Sequence, residues 1–231
     1  MMTDYVHQVW NYGLGNFINL TPTIKLLSEH LGIKIPVYFD LEFIKQCFLD
    51  CEFIEILETR PSHEPIFTSG LVNFSNDCPD YVHAYKMVCN RYPLGELTHT
   101  YVDRCEEIRI KERDYTLFIR GSGSENLLYI SRNTPSNHYY EEYMHDFCIF
   151  TGSDNDLERS GELFKDMPRY IGNIRKSLAL IREADLIIAN DTGLAHAAGA
   201  MNKKMIVLWK NNSLPKSANP GLHTIFRMCH K

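Results

Sequence analysis

Ala184-Asp185-Leu186-Ile187-Ile188-Ala189-Asn190-Asp191-Thr192-Gly193-Leu194-Ala195-His196-Ala197-Ala198-Gly199-Ala200 is the stretch whose reading decides the fold. Leu186 to Ala189 is an unbroken apolar run, as in a strand covered on both faces. A polar turn, Asn190 to Gly193, follows it, and a helix of small residues begins at once. Strand, turn and helix in that order form the unit of a parallel α/β sheet, whose ligands bind at the carboxyl ends of the strands. The first N–H groups of the helix have no intrahelical partners and favour phosphate. Thr192 adds a hydroxyl donor, and Gly193 lets a ligand approach the backbone closely. Asp191 would repel a phosphate, so it is expected to accept hydrogen bonds from sugar hydroxyls or to cap the helix. His196 reads equally as a ligand contact or as a satisfied histidine on the helix face.

The same grammar extends outward through the second half. Tyr115 to Ile119 is strand-like and runs into Arg120-Gly121-Ser122-Gly123-Ser124, a turn rich in exposed N–H groups with a fixed positive charge. Phe147 to Thr151 is a strand followed by Gly152 and the cap-like Ser153-Asp154-Asn155-Asp156. A helix to about Phe164, a short strand end at Tyr170-Ile171-Gly172 and an amphipathic helix from Ile174 to Ala184 come next. Met205 to Trp209 is expected to be the last strand. Tyr129, Arg132, His138, Tyr139 and Tyr140 offer stacking and charge downstream of the first glycine turn, and Gly172 to Ser177 opens a helix either as an Asn cap or near a nucleotide.

The first half starts with a β-like run, Tyr5 to Trp10, and the turn Asn11-Tyr12-Gly13-Leu14-Gly15-Asn16. Phe17, Leu20, Ile24, Leu27 and Leu31 then recur at helical spacing. Pro22 either kinks this helix or is its first residue with Thr21 as N-cap, and Gly32 ends it. Ile35 to Phe39 and Phe53 to Leu57 read as strands, with a helix between them over 41–48. Four of the ten prolines, Pro61, Pro65, Pro79 and Pro93, fall in the less legible region before Arg113. Tyr81 to Asn90 is a plausible helix there. The charged stretch from Asp103 to Asp114 marks a linker, so the expected domains are 1–110 and 111–231.

The composition bounds the function. With 231 residues, 44% hydrophobic and 23% charged, the chain is an ordinary globular protein of one or two domains. Its net charge of −5 argues mildly against a DNA partner. No apolar run is long enough for a membrane span, and the N-terminus lacks the pattern of a signal peptide. Seven cysteines without a C-x-x-C pair suggest reduced thiols and a cytoplasmic protein, and no metal site is expected. Cys47 and Cys51 read as small core residues.

Asp191-Thr192-Gly193-x-x-His196-x-Ala198, after a buried strand and before the strand at Met205 to Trp209, resembles the signature of glycosyltransferase family 9, the ADP-heptose:lipopolysaccharide heptosyltransferases. Gly13-Leu14-Gly15-Asn16-Phe17-Ile18, with Thr21-Pro22 behind it, is similar to the same family's N-terminal motif. Ile171-Gly172 followed by Ser177-Leu178-x-x-x-Ile181 fits the segment before the signature. The resemblance covers 5–57 and 147–209 and is weak between them. It implies a GT-B-like α/β fold, two Rossmann-like domains with parallel sheets facing a cleft. The N-terminal domain would take the acceptor and the C-terminal one the nucleoside-diphosphate sugar, with no metal or other cofactor. The chain is much shorter than typical members, so trimmed loops or elements are expected.

The resemblance implies site residues too. Asn16 and Asp191 take the catalytic positions, and Gly13, Gly15, Arg120, Gly121, Ser122, Gly152, Ser153, Thr192, Gly193, His196 and Lys210 the substrate-binding ones. One departure matters: the family's proposed base is an Asp, and here its position holds Asn16, whose amide cannot accept a proton from the acceptor. Either another group, among His7, Asp4, Glu64, His99 and Asp103, is the base, or the chain is a non-catalytic nucleotide-sugar or glycan-binding protein on the same fold. The leading expectation is a metal-independent glycosyltransferase that moves a sugar to an acceptor hydroxyl with inversion. The acceptor, whether glycan, glycolipid, protein or a nucleic-acid base, is not readable. A Rossmann oxidoreductase is the weaker reading, because Gly13-x-Gly15 lacks the third glycine and only Asp40 ends the second strand with an acid.

Overall fold

The computed structural model describes residues 4–73, 80–110, 114–121, 135–209 and 223–229. The described residues fall into two compact units that divide between Asp103 and Arg104, at the start of the charged stretch. Each unit is built on one all-parallel sheet with helices. Among the described residues no helix is long and apolar enough to cross a membrane.

In the first unit the elements are β1 (Val6–Gln8), α1 (Leu14–Leu31), β2 (Ile35–Phe39), α2 (Glu42–Lys45), β3 (Ile54–Leu57), β4 (Phe67–Thr68), a 3-10 turn (Ser69–Asn73) and α3 (Asp80–Cys89). The sheet order is β3-β2-β1-β4, with Val6 opposite Val37 and Gln8 opposite Phe39. α1 starts eight residues earlier than a Thr21 cap would place it and continues through Pro22. The proline removes the N–H that would bond to the Ile18 carbonyl. That carbonyl instead accepts the Thr21 hydroxyl at 2.7 Å, so the defect is repaired one residue away. Gly32 ends the helix at φ +67°, the left-handed cap that glycine adopts without strain. Phe17 of α1 packs against Phe39 and Phe48, which joins the helix to one face of the sheet.

The second unit runs β5 (Thr116–Ile119), α4 (His138–Glu141), β6 (Cys148–Gly152), α5 (Asp154–Ser160), a 3-10 turn (Glu162–Phe164), β7 (Arg169–Ile171), α6 (Ile174–Glu183), β8 (Leu186–Ala189), α7 (Gly193–Ala200), β9 (Met205–Trp209) and β10 (Thr224–Met228). Its sheet order is β10-β9-β8-β5-β6-β7. Met205 to Trp209 is therefore not the last strand: β10 pairs with it in parallel at the sheet edge. Thr224 to Met228 alternates only weakly in burial, which hides it from a pattern reading. Phe118, Tyr140, Phe150, Phe164, Ile188 and Leu208 form a core on one face of this sheet.

The strand order of the second unit is the doubly wound Rossmann order, in which the chain goes out from β5 to one side and returns to the other with β8. The first unit has the first four strands of the same pattern, with its reversal between β1 and β4. These two reversal points position the candidate sites. The described cysteines carry free thiols; Cys47, Cys51, Cys105, Cys148 and Cys229 are buried, as core residues are, and Cys78 lies outside the described residues.

Candidate functional site

In the second unit the exits of β5 and β8 stand side by side, Ile119 opposite Ala189. Asn190, fully buried, ties them together. Its Oδ1 accepts the Gly121 N–H at 3.1 Å and its Nδ2 donates to the Gly121 carbonyl at 2.8 Å. The side chain thus adds two bonds to the backbone one from the Asn190 N–H to the Ile119 carbonyl at 3.3 Å, just past the paired strands. In the sequence Asn190 is simply part of the polar turn, and the sign of its role is a polar amide directly after a buried apolar strand.

Asp191 and Thr192 follow. The N-cap of α7 is Thr192, whose hydroxyl accepts the Ala195 N–H at 3.2 Å, so Asp191 is not the cap. The Asp191 carboxylate lies 3.4 Å from His196 Nε2, and both side chains are mostly buried. His196 Nδ1 is buried without a partner among the described residues, so this is not a satisfied helix-face histidine. The N–H groups of Gly193 and Leu194 precede the first intrahelical bond of α7 and are available to an anion. A carboxylate held by an imidazole beside such N–H groups suits a ligand with both hydroxyls and a negative charge.

Gly121 has φ +150°, and a Cβ there would lie 2.0 Å from Asp156 Oδ1. At Gly152, the last residue of β6, a Cβ would lie 3.3 Å from Asp156 Cβ. Both glycines therefore give room to one carboxylate. Asp156 is held there by a capping box: its Oδ2 accepts the Ser153 N–H at 3.0 Å and hydroxyl at 2.7 Å, and the Ser153 hydroxyl accepts the Asp156 N–H at 3.1 Å. Ser153 is thus a helix cap in this structure.

Arg120 departs from its expected role. Its guanidinium is buried, donates to the Ser160 and Pro135 carbonyls at 2.8 and 3.4 Å, and lies over the Tyr140 and Phe164 rings. Burial draws its pKa below the usual arginine value. The side chain braces the C-terminal end of α5 from inside instead of meeting a diphosphate. Tyr140 is likewise core, while His138 is exposed and packs on Tyr139. Asn173 caps α6 by accepting the Lys176 N–H, and Arg175 pairs with Glu107. Ser122, Tyr129, Arg132 and Lys210 lie outside the described residues.

In the first unit the turn after β1 is pinned at the corresponding reversal point. The Val9 N–H donates to Ser69 Oγ beyond β4 at 3.0 Å. Fully buried Gln8 donates to the Val9 and Tyr12 carbonyls and accepts the Leu41 N–H. Asp40, at the end of β2, accepts from His7 Nε2 at 2.9 Å and from the Trp10 N–H at 2.9 Å. Gly13 is the exposed N-cap of α1, Gly15 is buried in its first turn, and Asn16 is half-buried beside it. Of the other groups considered as a base, Asp103 is fully buried and occupied: its carboxylate accepts the Asp50 N–H and the Tyr101 hydroxyl. That binding role explains why it is not available as a base. Asp4, Glu64 and His99 are exposed.

Among the described residues no group of three or more His, Cys, Asp or Glu side chains converges as metal ligands would.

Residues 148–220 match the family model of glycosyltransferase family 9 (heptosyltransferase). No curated protein matches the sequence. Among solved structures, a family 9 glycosyl transferase from Veillonella parvula is 15% identical, with a TM-score of 0.64 over 99% of this chain and 87% of that one. The E. coli heptosyltransferase WaaC with ADP is 10% identical, with a TM-score of 0.70 over 97% of this chain and 93% of that one. The iron-containing dodecameric glycosyltransferase TibC from enterotoxigenic E. coli is 12% identical, with a TM-score of 0.68 over 97% of this chain and 63% of that one. The second unit thus carries a segment similar to glycosyltransferase family 9, and the fold of the chain is similar to that of solved family 9 heptosyltransferases.

Proposed function

We propose that the protein transfers a sugar from a nucleoside-diphosphate sugar to an acceptor hydroxyl, with the donor on the second unit and the acceptor on the first. The observation that carries this is the Asp191–His196 pair beside the open start of α7, at the sheet reversal and inside the stretch that matches the family model. WaaC has been solved with ADP and with ADP-2-deoxy-2-fluoro heptose, which supports an ADP-linked donor here.

In this reading the acceptor oxygen attacks the anomeric carbon as the bond to the diphosphate breaks. A single displacement inverts that centre. The N–H groups of Gly193 and Leu194, with the α7 dipole, stabilise the charge that develops on the leaving diphosphate. Asp191 accepts hydrogen bonds from donor hydroxyls. Asn16 holds the acceptor by its amide and takes no proton. Within the first unit the His7–Asp40 couple serves as the proton acceptor in this reading, since it joins an imidazole to a carboxylate that follows β2 and also holds the Trp10 N–H in the turn after β1.

Metal independence belongs to the proposal, because TibC is an iron-containing relative in fold. The test is incubation with ADP-, UDP- and GDP-sugars, with and without EDTA, following release of the nucleoside diphosphate. Release with at least one donor, unchanged by EDTA, supports the reading. Donor binding without transfer or hydrolysis favours a binding protein on the same fold, the alternative that the neutral Asn16 suggests.

A further inference from the structure

Trp10 is 72% exposed, the most exposed of the large apolar side chains among the described residues. An indole left in water on a loose loop would be unremarkable. This one stands on a backbone held at every turn. The Trp10 N–H is taken by Asp40, itself held by His7; the Val9 N–H by Ser69; the Val9 and Tyr12 carbonyls by Gln8; and the Tyr12 N–H by the Val9 carbonyl at 3.0 Å. Gln8 and Ser69 are fully buried, and the Tyr12 ring fills the space above Gly70, where a Cβ would lie 2.8 Å from it. The turn is thus a rigid mount, at the reversal of strand order where parallel sheets take their ligands. Its outward residue is a large flat π-surface.

The neighbours restrict what that surface takes. The turn from Val9 to Asn16 carries no charged side chain, and Asn11 and Asn16 supply amides on either side of exposed Gly13. The Asp40 carboxylate beneath the turn is taken up by His7 and the Trp10 N–H, so the turn itself offers a charged ligand no partner of opposite sign. An apolar protein surface would meet one indole among amides and glycine. A neutral ring with C–H groups on one face and hydroxyls at its edge fits both features, since its C–H face stacks on the indole and its hydroxyls meet the amides.

We propose that Trp10 is a stacking platform for a pyranose ring of the acceptor. The inference rests on the assignment of the acceptor to the first unit. It makes Trp10 a specificity-determining residue for the acceptor, with no part in donor binding.

The test uses the full chain and its own fluorescence. The protein has two tryptophans, and Trp209 is buried, so the difference between wild type and Trp10→Phe isolates the exposed indole. Methyl glucopyranoside, galactopyranoside and mannopyranoside are titrated to about 100 mM, with AMP as a nucleobase control. The expected result is a saturable change in the difference signal with at least one pyranoside and none with AMP. Trp10→Ala is expected to weaken that pyranoside at least tenfold by saturation-transfer NMR, with Trp10→Phe within about threefold of wild type. The absence of a saturable change with all three sugars overturns the proposal, as does a change with AMP alone or pyranoside affinity untouched by Trp10→Ala. ADP binding measured in parallel on Trp10→Ala separates the two claims: its loss in wild type as well would remove the donor assignment and leave the indole titration readable.

Discussion

Replacing Asn190 tests whether one buried amide really joins the two strands at the site. Asn190→Ala leaves the Gly121 N–H and carbonyl without their present partners at 3.1 and 2.8 Å. A buried group stripped of its partner costs about 1–3 kcal/mol, and Gly121 is only half-buried, so the pair should cost about 2–4 kcal/mol. At about 2–4 °C per kcal/mol for a chain of this size, the melting temperature should fall by roughly 4–16 °C. Asn190→Asp is the sharper change. It keeps the acceptor but sets a carboxylate against the Gly121 carbonyl. A protonated carboxyl restores the donor, and burial raises its folded pKa above the unfolded value of about 3.9. The variant should therefore be nearest to wild type at low pH and lose stability relative to it as pH rises from 4 towards 8. Urea denaturation of wild type and both variants at pH 5 and pH 8 reads this directly. A loss below about 0.5 kcal/mol for Asn190→Ala, or a gap between Asn190→Asp and wild type that does not change with pH, refutes the clamp.

Other consequences concern the neighbouring carboxylate and the thiols. Gly121→Ala combines a positive φ with a Cβ that meets Asp156, and should destabilise by about 1–3 kcal/mol from backbone strain alone; adding Asp156→Ala should recover part of the loss in a thermal melt, and no recovery would contradict the packing described. Ser153→Ala should cost about 1 kcal/mol as a lost cap, while calorimetry should show nucleotide affinity unchanged; a tenfold loss of affinity would return Ser153 to the binding site. Burial pushes the Cys51 thiol up to about 12. It should therefore resist iodoacetamide at pH 8.5 in the folded protein, as read by mass spectrometry. Its contribution to stability is full below the unfolded thiol value and is lost as pH rises through the folded one.

The parts of the fold that were legible in the sequence are those with strong local grammar. Leu186 to Ala189 and Met205 to Trp209 are buried on both faces, and Gly32, Ser153 and Asn173 each act locally as caps. What escaped depends on contacts far apart in the chain. α1 survives Pro22 because a threonine hydroxyl takes over the stranded carbonyl, and Thr21 also accepts the Tyr101 N–H, 80 residues away. β4 is two residues long and exists because β1 offers an edge. In the site, the small residues after β8 announced α7, but spacing cannot show which way a side chain turns. Arg120 goes inward because two aromatic rings and two carbonyls receive it. Asp156 was hidden in its capping box, and its proximity to Gly121 joins elements 35 residues apart.

The central claim is that the second unit binds a nucleoside-diphosphate sugar through the turn at Asp191 to Gly193. Calorimetry with ADP and an ADP-sugar, without added divalent metal, on wild type, Asp191→Ala and Asn16→Ala tests it most directly. The account predicts that wild type binds both ligands and that Asp191→Ala loses more affinity for the sugar-bearing ligand than for ADP. A buried hydrogen bond to a charged group is worth about 1.5–3 kcal/mol, so the difference should be roughly 10- to 150-fold. Asn16→Ala should bind both as wild type does. No binding to wild type at millimolar concentration, or a loss of ADP affinity in Asn16→Ala with Asp191→Ala unaffected, would contradict the account.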